Sequence, residues 1–132
     1  MNVKRMVVAS LLVFVAVQAM DYLINMVILM PSYKALAHIW RPDMQSKMWL
    51  MTLASFIGSF LFVYIFIKGY ENKGIMEGFR YGTIIGLFMN VVGALNQYVI
   101  YPLPLALVIK WFIYGMIEFI IMGIIAALVY KK

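Results

Sequence analysis

The chain has 132 residues, of which 66% are hydrophobic and 12% charged, with a mean hydropathy of +0.96. So few charges cannot cover so much apolar surface in water, which excludes an ordinary soluble domain and makes lipid the expected solvent. The formal charge of +6 falls in the gaps between apolar runs, where anionic headgroups account for it without a nucleic-acid partner, and the absence of cysteine excludes disulfides, iron–sulfur clusters and thiol catalysis.

The length allows one domain, and four apolar runs are long enough to cross a hydrocarbon core, at 6–30, 48–67, 78–100 and 105–130. The expected fold is therefore an all-α integral membrane protein, a four-transmembrane-helix bundle. At the start, Lys4, Arg5, an apolar run and "AVQA" at 16–19 have the outline of a signal peptide. The run continues to Met30, however, well past the roughly 7–15 residues of a signal-peptide core, so an uncleaved first span is expected. It carries Gln18, Asp21 and Asn25 within about 60° of one another on a helical wheel.

Pro31 ends that span, and the following segment, "PSYKALAHIWRPDMQSK" at 31–47, is patterned. Tyr33, Leu36, Ile39 and Trp40 recur at three-to-four spacing with Lys34, His38 and Arg41 between them. The spacing predicts a short amphipathic outer-loop helix resting on the membrane surface, with a lid or partner-docking surface as the sharper alternative. In the second span Thr52, Ser55, Gly58 and Ser59 form a small-residue face.

After the polar turn "KGYENKG" at 68–74, glycine recurs at every fourth position: Gly74, Gly78, Gly82 and Gly86. Each glycine inside a helix costs roughly 0.5–1 kcal/mol against alanine. Gly74 belongs to the turn and Gly78 to the first helical turn, beside Glu77 and Arg80 at the lipid–water boundary. Gly82 and Gly86 lie inside the membrane, on a face that drifts through Asn90, Gly93 and Gln97, with Asn96 beside it. Such a face admits another helix at close range. The expected partners are the Thr52–Ser55–Ser59 face and the Gln18–Asp21–Asn25 face. A proline turn, "YPLP" at 101–104, then leads to the fourth span and its single acidic residue, Glu118.

At 1.5 Å per residue, Asp21 and Asn96 stand roughly 24 Å from the inner edge, and Glu118 and Asn90 roughly 15–18 Å deep. With no lysine or arginine in reach, Glu118 is expected to carry a proton and to hydrogen-bond Asn90 or Gln18, while Asp21 is expected nearer outer water or headgroups. Two readings of these polar residues stand: interhelical glue, or a proton- or cation-responsive site.

Other chemistries lack their residues. His38 is the single histidine and falls outside the spans, so a two-histidine haem or a histidine metal cluster cannot form within one chain. The twelve methionines are spread over every span, and Ser55 and Ser59 have no base nearby. The glycine series lacks the lysine of a phosphate-binding loop. No cofactor or metal is expected.

Four spans place both termini and the second turn on one side, with Lys4, Arg5, Lys68, Lys73, Arg80, Lys131 and Lys132, against Lys34, Arg41, Lys47 and Lys110 on the other. Seven against four predicts cytoplasmic termini. Trp40, Trp49 and Trp111 fall near the outer interface, where an indole can be half wet.

At "LAHIWRP" (36–42) and "YIFIKGYENKGIMEGFRYG" (64–82) the chain resembles a family of small uncharacterised bacterial membrane proteins. That family combines a His-x-Trp-Arg-Pro outer loop, a Gly-x-Glu-x-x-Gly turn before a glycine-rich third span, and a proline turn before the fourth. The resemblance implies an inner-membrane location and a helical bundle, and it brings no activity. The chain is also similar in size and span number to small multidrug-resistance transporters, but their essential glutamate is in the first span, where this chain has Asp21.

Three functions follow. The first is association, as an accessory or assembly subunit or a homo-oligomer, on the strength of the glycine face. The second is a dimeric proton-coupled transporter or channel using Glu118 with Asp21 and Asn90. The third is an interfacial lipid- or quinone-modifying enzyme, for which only His38, Arg41 and Asp43 speak.

Overall fold

The computed structural model describes residues 2–131; Lys132, counted above among the inner charges, lies outside them. The described chain is all helical. Helix α1 (Val3–Asp21) runs into a π-helical segment (Tyr22–Ile28) and a short α2 (Met30–Ala35), followed by α3 (Met44–Lys68), α4 (Ile75–Ile100) and α5 (Leu105–Val129). Four stretches are long and apolar enough to cross a membrane: Val3–Ile28, Met44–Lys68, Ile75–Ile100 and Leu105–Val129. They begin up to four residues before the apolar runs do, because charged and polar flanks such as Lys4, Gln45 and Glu77 continue the helix beyond the hydrocarbon.

The first span and the last meet at the end where both termini lie. Asn2 caps α1 by accepting from the Arg5 amide at 3.1 Å, and its own amide donates to the Tyr130 hydroxyl at 3.1 Å. Tyr130 is fully buried, edge-on to Tyr70 with ring centroids 5.1 Å apart. Ala9, Val13 and Val17 on one stripe of α1 pack in the same core as Phe62, Val63 and Phe66 of α3 and Met122, Ala126 and Ala127 of α5. Thus α1 lies between α3 and α5, and α4 packs on the far side of α5. At the end where both termini lie, α3 also reaches α4: the Tyr81 hydroxyl donates to the Phe62 carbonyl at 2.5 Å, and its ring lies against Phe62 and Phe66.

The glycine face of α4 meets α5, not the small residues of α3 or the polar face of α1 that its sequence neighbours suggested. A Cβ on Gly78 would strike the Gly123 carbonyl and come 2.6 Å from the Ala127 Cβ; one on Gly82 would strike the Phe119 carbonyl and come 2.9 Å from the Ile120 Cα; one on Gly86 would come 2.9 Å from the Phe119 Cβ. The contact is reciprocal, because a Cβ on Gly123 would strike the Gly78 carbonyl and one on Gly115 the Asn90 side chain. Gly93, expected on the same packing face, has nothing within 4 Å and is exposed. Ser59 is buried against its neighbours but bonds within its own helix, to the Ser55 carbonyl at 2.8 Å, and Ser55 is half-buried.

The turn between α3 and α4 is held by Glu77, expected only at the lipid boundary. The Glu77 carboxylate is 9% exposed and accepts from the Glu71 amide at 2.7 Å and the Lys73 amide at 3.0 Å. Asn72 and Gly74 take positive φ (58° and 77°), which curls the turn back so that both amides face the carboxylate.

Two predictions follow from these contacts. Gly82→Ala forces a methyl against backbone and should lower stability in detergent by about 1–3 kcal/mol. Gly93→Ala, into open space, should be neutral or stabilising by up to about 1 kcal/mol, both read as shifts in thermal midpoint. Glu77→Ala leaves two amides of the turn without their charged acceptor and should cost about 1.5–3 kcal/mol, with faster tryptic cleavage at Lys73 as the local readout.

Candidate functional site

Asp21 is the last residue of α1 and Glu118 lies mid-way along α5; both are half-buried, and their carboxyl groups are close enough to interact. The depth estimates had placed Asp21 several ångströms further out than Glu118. They treated each side chain as level with its own Cα. The two helices are antiparallel, and every helical side chain leans toward the start of its own helix. Asp21 therefore leans inward and Glu118 outward, so the carboxyls converge.

Ionised carboxylates only accept hydrogen bonds, so a bond between these two requires that one of them carry a proton. Glu118 Oε1 is buried and has no hydrogen-bond partner among the described residues. The ion pairs of the described chain are Arg41–Asp43, Lys47–Asp43 and Lys73–Glu71, all exposed, and Lys110, two turns outward of Glu118, is exposed as well. Among the described residues the pair has no cationic partner.

Asn90, expected to bond Glu118, instead donates to the Gly86 carbonyl of its own helix at 2.8 Å and lies 3.9 Å from the Met116 sulfur. It fills the gap left by Gly115 rather than reaching the carboxyl pair. Gln18 is half-buried, one turn inward of Asp21, and makes no side-chain hydrogen bond among the described residues. Asn96 and Gln97 are exposed on the outer end of α4, away from the pair.

Outward of the carboxyls sits a second polar cluster. The Tyr33 hydroxyl on α2 donates to Asn25 Oδ1 at 2.6 Å and accepts from Trp111 Nε1 at 2.7 Å. Asn25 is four residues on from Asp21, within the π-helical segment, and Trp111 is two turns outward of Glu118 on α5. Burial pushes the Tyr33 phenol above the ordinary tyrosine value; the Trp111 hydrogen bond pulls it back and the nearby Asp21 charge pushes it up again.

The segment between the first span and α3 packs as a cap over this cluster. Tyr33, Leu36, Ile39 and Trp40, the expected apolar face, pack with Leu29 onto Leu103, Leu107, Val108 and Trp111 at the outer end of α5. Trp40 Nε1 donates to the Tyr33 carbonyl at 3.0 Å, and the two rings meet edge-on. His38 and Arg41 point away from it: both are exposed, and Arg41 Nε pairs with Asp43 at 2.6 Å. His38 makes no hydrogen bond with either of them among the described residues, so no general-base arrangement forms there.

Trp111 is expected as a half-wet interfacial indole and Tyr33 as part of an amphipathic surface helix, and the structure joins the two in one hydrogen bond. Their hydroxyl and indole N–H groups were the available signal, since buried Tyr and Trp seek partners for both. One surface pocket is lined by Tyr70, Glu71, Asn72 and Lys131 and another by residues 98–103; neither touches the carboxyl pair. Among the described residues, no group of three or more His, Cys, Asp or Glu is placed to hold a metal ion. No family model, curated protein or solved structure matches the chain.

Replacing Asn25 by Ala strands the Tyr33 hydroxyl in a half-buried site. The expected cost is about 1–3 kcal/mol, with a red shift of tryptophan emission as Trp40 and Trp111 become wetter; unchanged emission and midpoint would show that the bond contributes nothing.

Proposed function

We propose that the protein is a small proton-coupled transporter or channel of a bacterial inner membrane, with both termini cytoplasmic and the Asp21–Glu118 pair as its proton-carrying centre. The observation that carries this reading is the meeting of two carboxyls from the first and fourth spans without a cation between them. Two acidic residues kept together in lipid are expensive unless they share a proton, and intramembrane acids of this kind serve proton relays. The charge asymmetry of the loops supports the orientation.

Association ranks second. The glycine face that first suggested it is occupied within the chain by α5, which removes its main support. What favours it is the outer half of α4, where Gly93, Asn96 and Gln97 are left uncovered by the rest of the chain. Amide side chains in such a position can hydrogen-bond across to a second copy or another membrane protein. A dimer would also provide the enclosed volume that four helices lack.

In proteoliposomes under an imposed voltage, the wild-type protein should accelerate proton entry, read by a trapped pH dye. Glu118→Gln and Asp21→Asn should each return the rate to that of protein-free vesicles with the helical content intact. Wild-type vesicles no faster than empty ones, or variants as fast as wild type, would overturn the reading.

A further inference from the structure

The cap bears on how water reaches the carboxyl pair. Its outer segment joins α1 through a π-helical stretch and the irregular Leu29, where the helix breaks before α2. Such i→i+5 stretches are rare and frequently sit at functional sites. On its far side the segment passes through the exposed turn at 41–43 before α3 begins. Between these two loose ends, one side chain ties it to the spans on both sides. The Tyr33 hydroxyl holds Asn25 of the first span at 2.6 Å and Trp111 of the fourth at 2.7 Å. At 1.5 Å per residue this clamp stands roughly 10 Å outward of Glu118, between the pair and the outer surface.

We propose that residues 29–43 form a lid over the carboxyl pair and that the Tyr33 hydroxyl, bridging Asn25 and Trp111, is the latch that keeps outer water from it. This rests on the reading of Asp21 and Glu118 as a proton-sharing pair. Tyr33 is a positioning residue: it closes the route and does not itself carry the transported proton. The remainder of the lid contact is apolar, from Leu36, Ile39 and Trp40 against Leu103, Leu107 and Val108. Loss of the hydroxyl therefore loosens the closed position without removing the surface on which the lid rests.

The test is carbodiimide labelling of the full chain in lipid vesicles, mapped by peptide mass. A lipid-soluble carbodiimide reports whether a protonated carboxyl is present in the membrane. A water-soluble carbodiimide added outside reports whether water reaches it. In the wild type the lipid-soluble reagent should modify Glu118 or Asp21 and the water-soluble one should modify neither. Tyr33→Phe, which keeps the ring, should raise water-soluble labelling of the pair about tenfold, since both bonds of the latch are lost. Trp111→Phe, which keeps one of the two bonds, should raise it less. Glu77, buried at the opposite end, must stay unlabelled in both variants, which separates an opened lid from a generally loosened fold. Equal water-soluble labelling of the pair in wild type and both variants, with lipid-soluble labelling intact, would overturn the latch and leave the proton-sharing reading standing. Failure of the lipid-soluble reagent to modify either carboxyl in the wild type would overturn both.

Discussion

Between α4 and α5 the backbones approach so closely that Gly78 and Gly123 each place a carbonyl where the other's side chain would stand. In lipid, helices gain nothing by hiding apolar surface from one another, so association depends on dispersion over matched surfaces and on interhelical polar contacts. Three glycines on one helix and two on the other give that close fit, which is what offsets their unfavourable helix propensity. The contact also fixes the rotation of α5. Phe119 lies on the glycine-facing side, and its neighbour Glu118 stands about 100° around the helix. That rotation turns the carboxyl away from α4 and toward α1, where Asp21 meets it.

Much of this was legible in the residues. The four spans follow from hydropathy, and the "KGYENKG" turn and "YPLP" both separate helices in the structure, while Pro31, expected to end the first span, stands in the first turn of α2 and the break falls at Leu29. The glycine face was visible because its spacing of four stands out in α4. Its partner was not, because Gly115 and Gly123 are eight residues apart in a stretch so uniformly apolar that no face contrasts with another. The periodicity of Tyr33, Leu36, Ile39 and Trp40 identified an apolar side, but periodicity does not say whether lipid or protein covers it. Protein does, because Leu103 of the "YPLP" turn and Leu107 and Val108 in the first turn of α5 offer it an apolar seat.

Glu77 and Asp21 show two ways in which position along a helix misleads. An acid at the first turn of a membrane helix reads as a boundary charge facing water, yet Glu77 folds back and is buried by the loop it organises. An acid late in the first span reads as near the outer surface, yet Asp21 leans inward along its helix. In both cases the side chain's direction, more than its place along the helix, decides its surroundings.

The polar groups of the outer half form a graded series. Trp111 donates to Tyr33, Tyr33 donates to Asn25, Asn25 stands one turn from Asp21, and Asp21 meets Glu118. Each step inward has less water to satisfy it, and so each polar group relies more on its neighbour. The lid that covers this series is built from residues that tolerate either surrounding. Tyr33 and Trp40 are as suited to the headgroup region as to the end of α5, because their rings are apolar and their N–H or O–H can be wet. Opening the lid would therefore move aromatic surface from protein into the interface at little cost. The balance between closed and open would then rest on the two hydrogen bonds at the Tyr33 hydroxyl, a lever small enough for a change at the carboxyls one turn below to move.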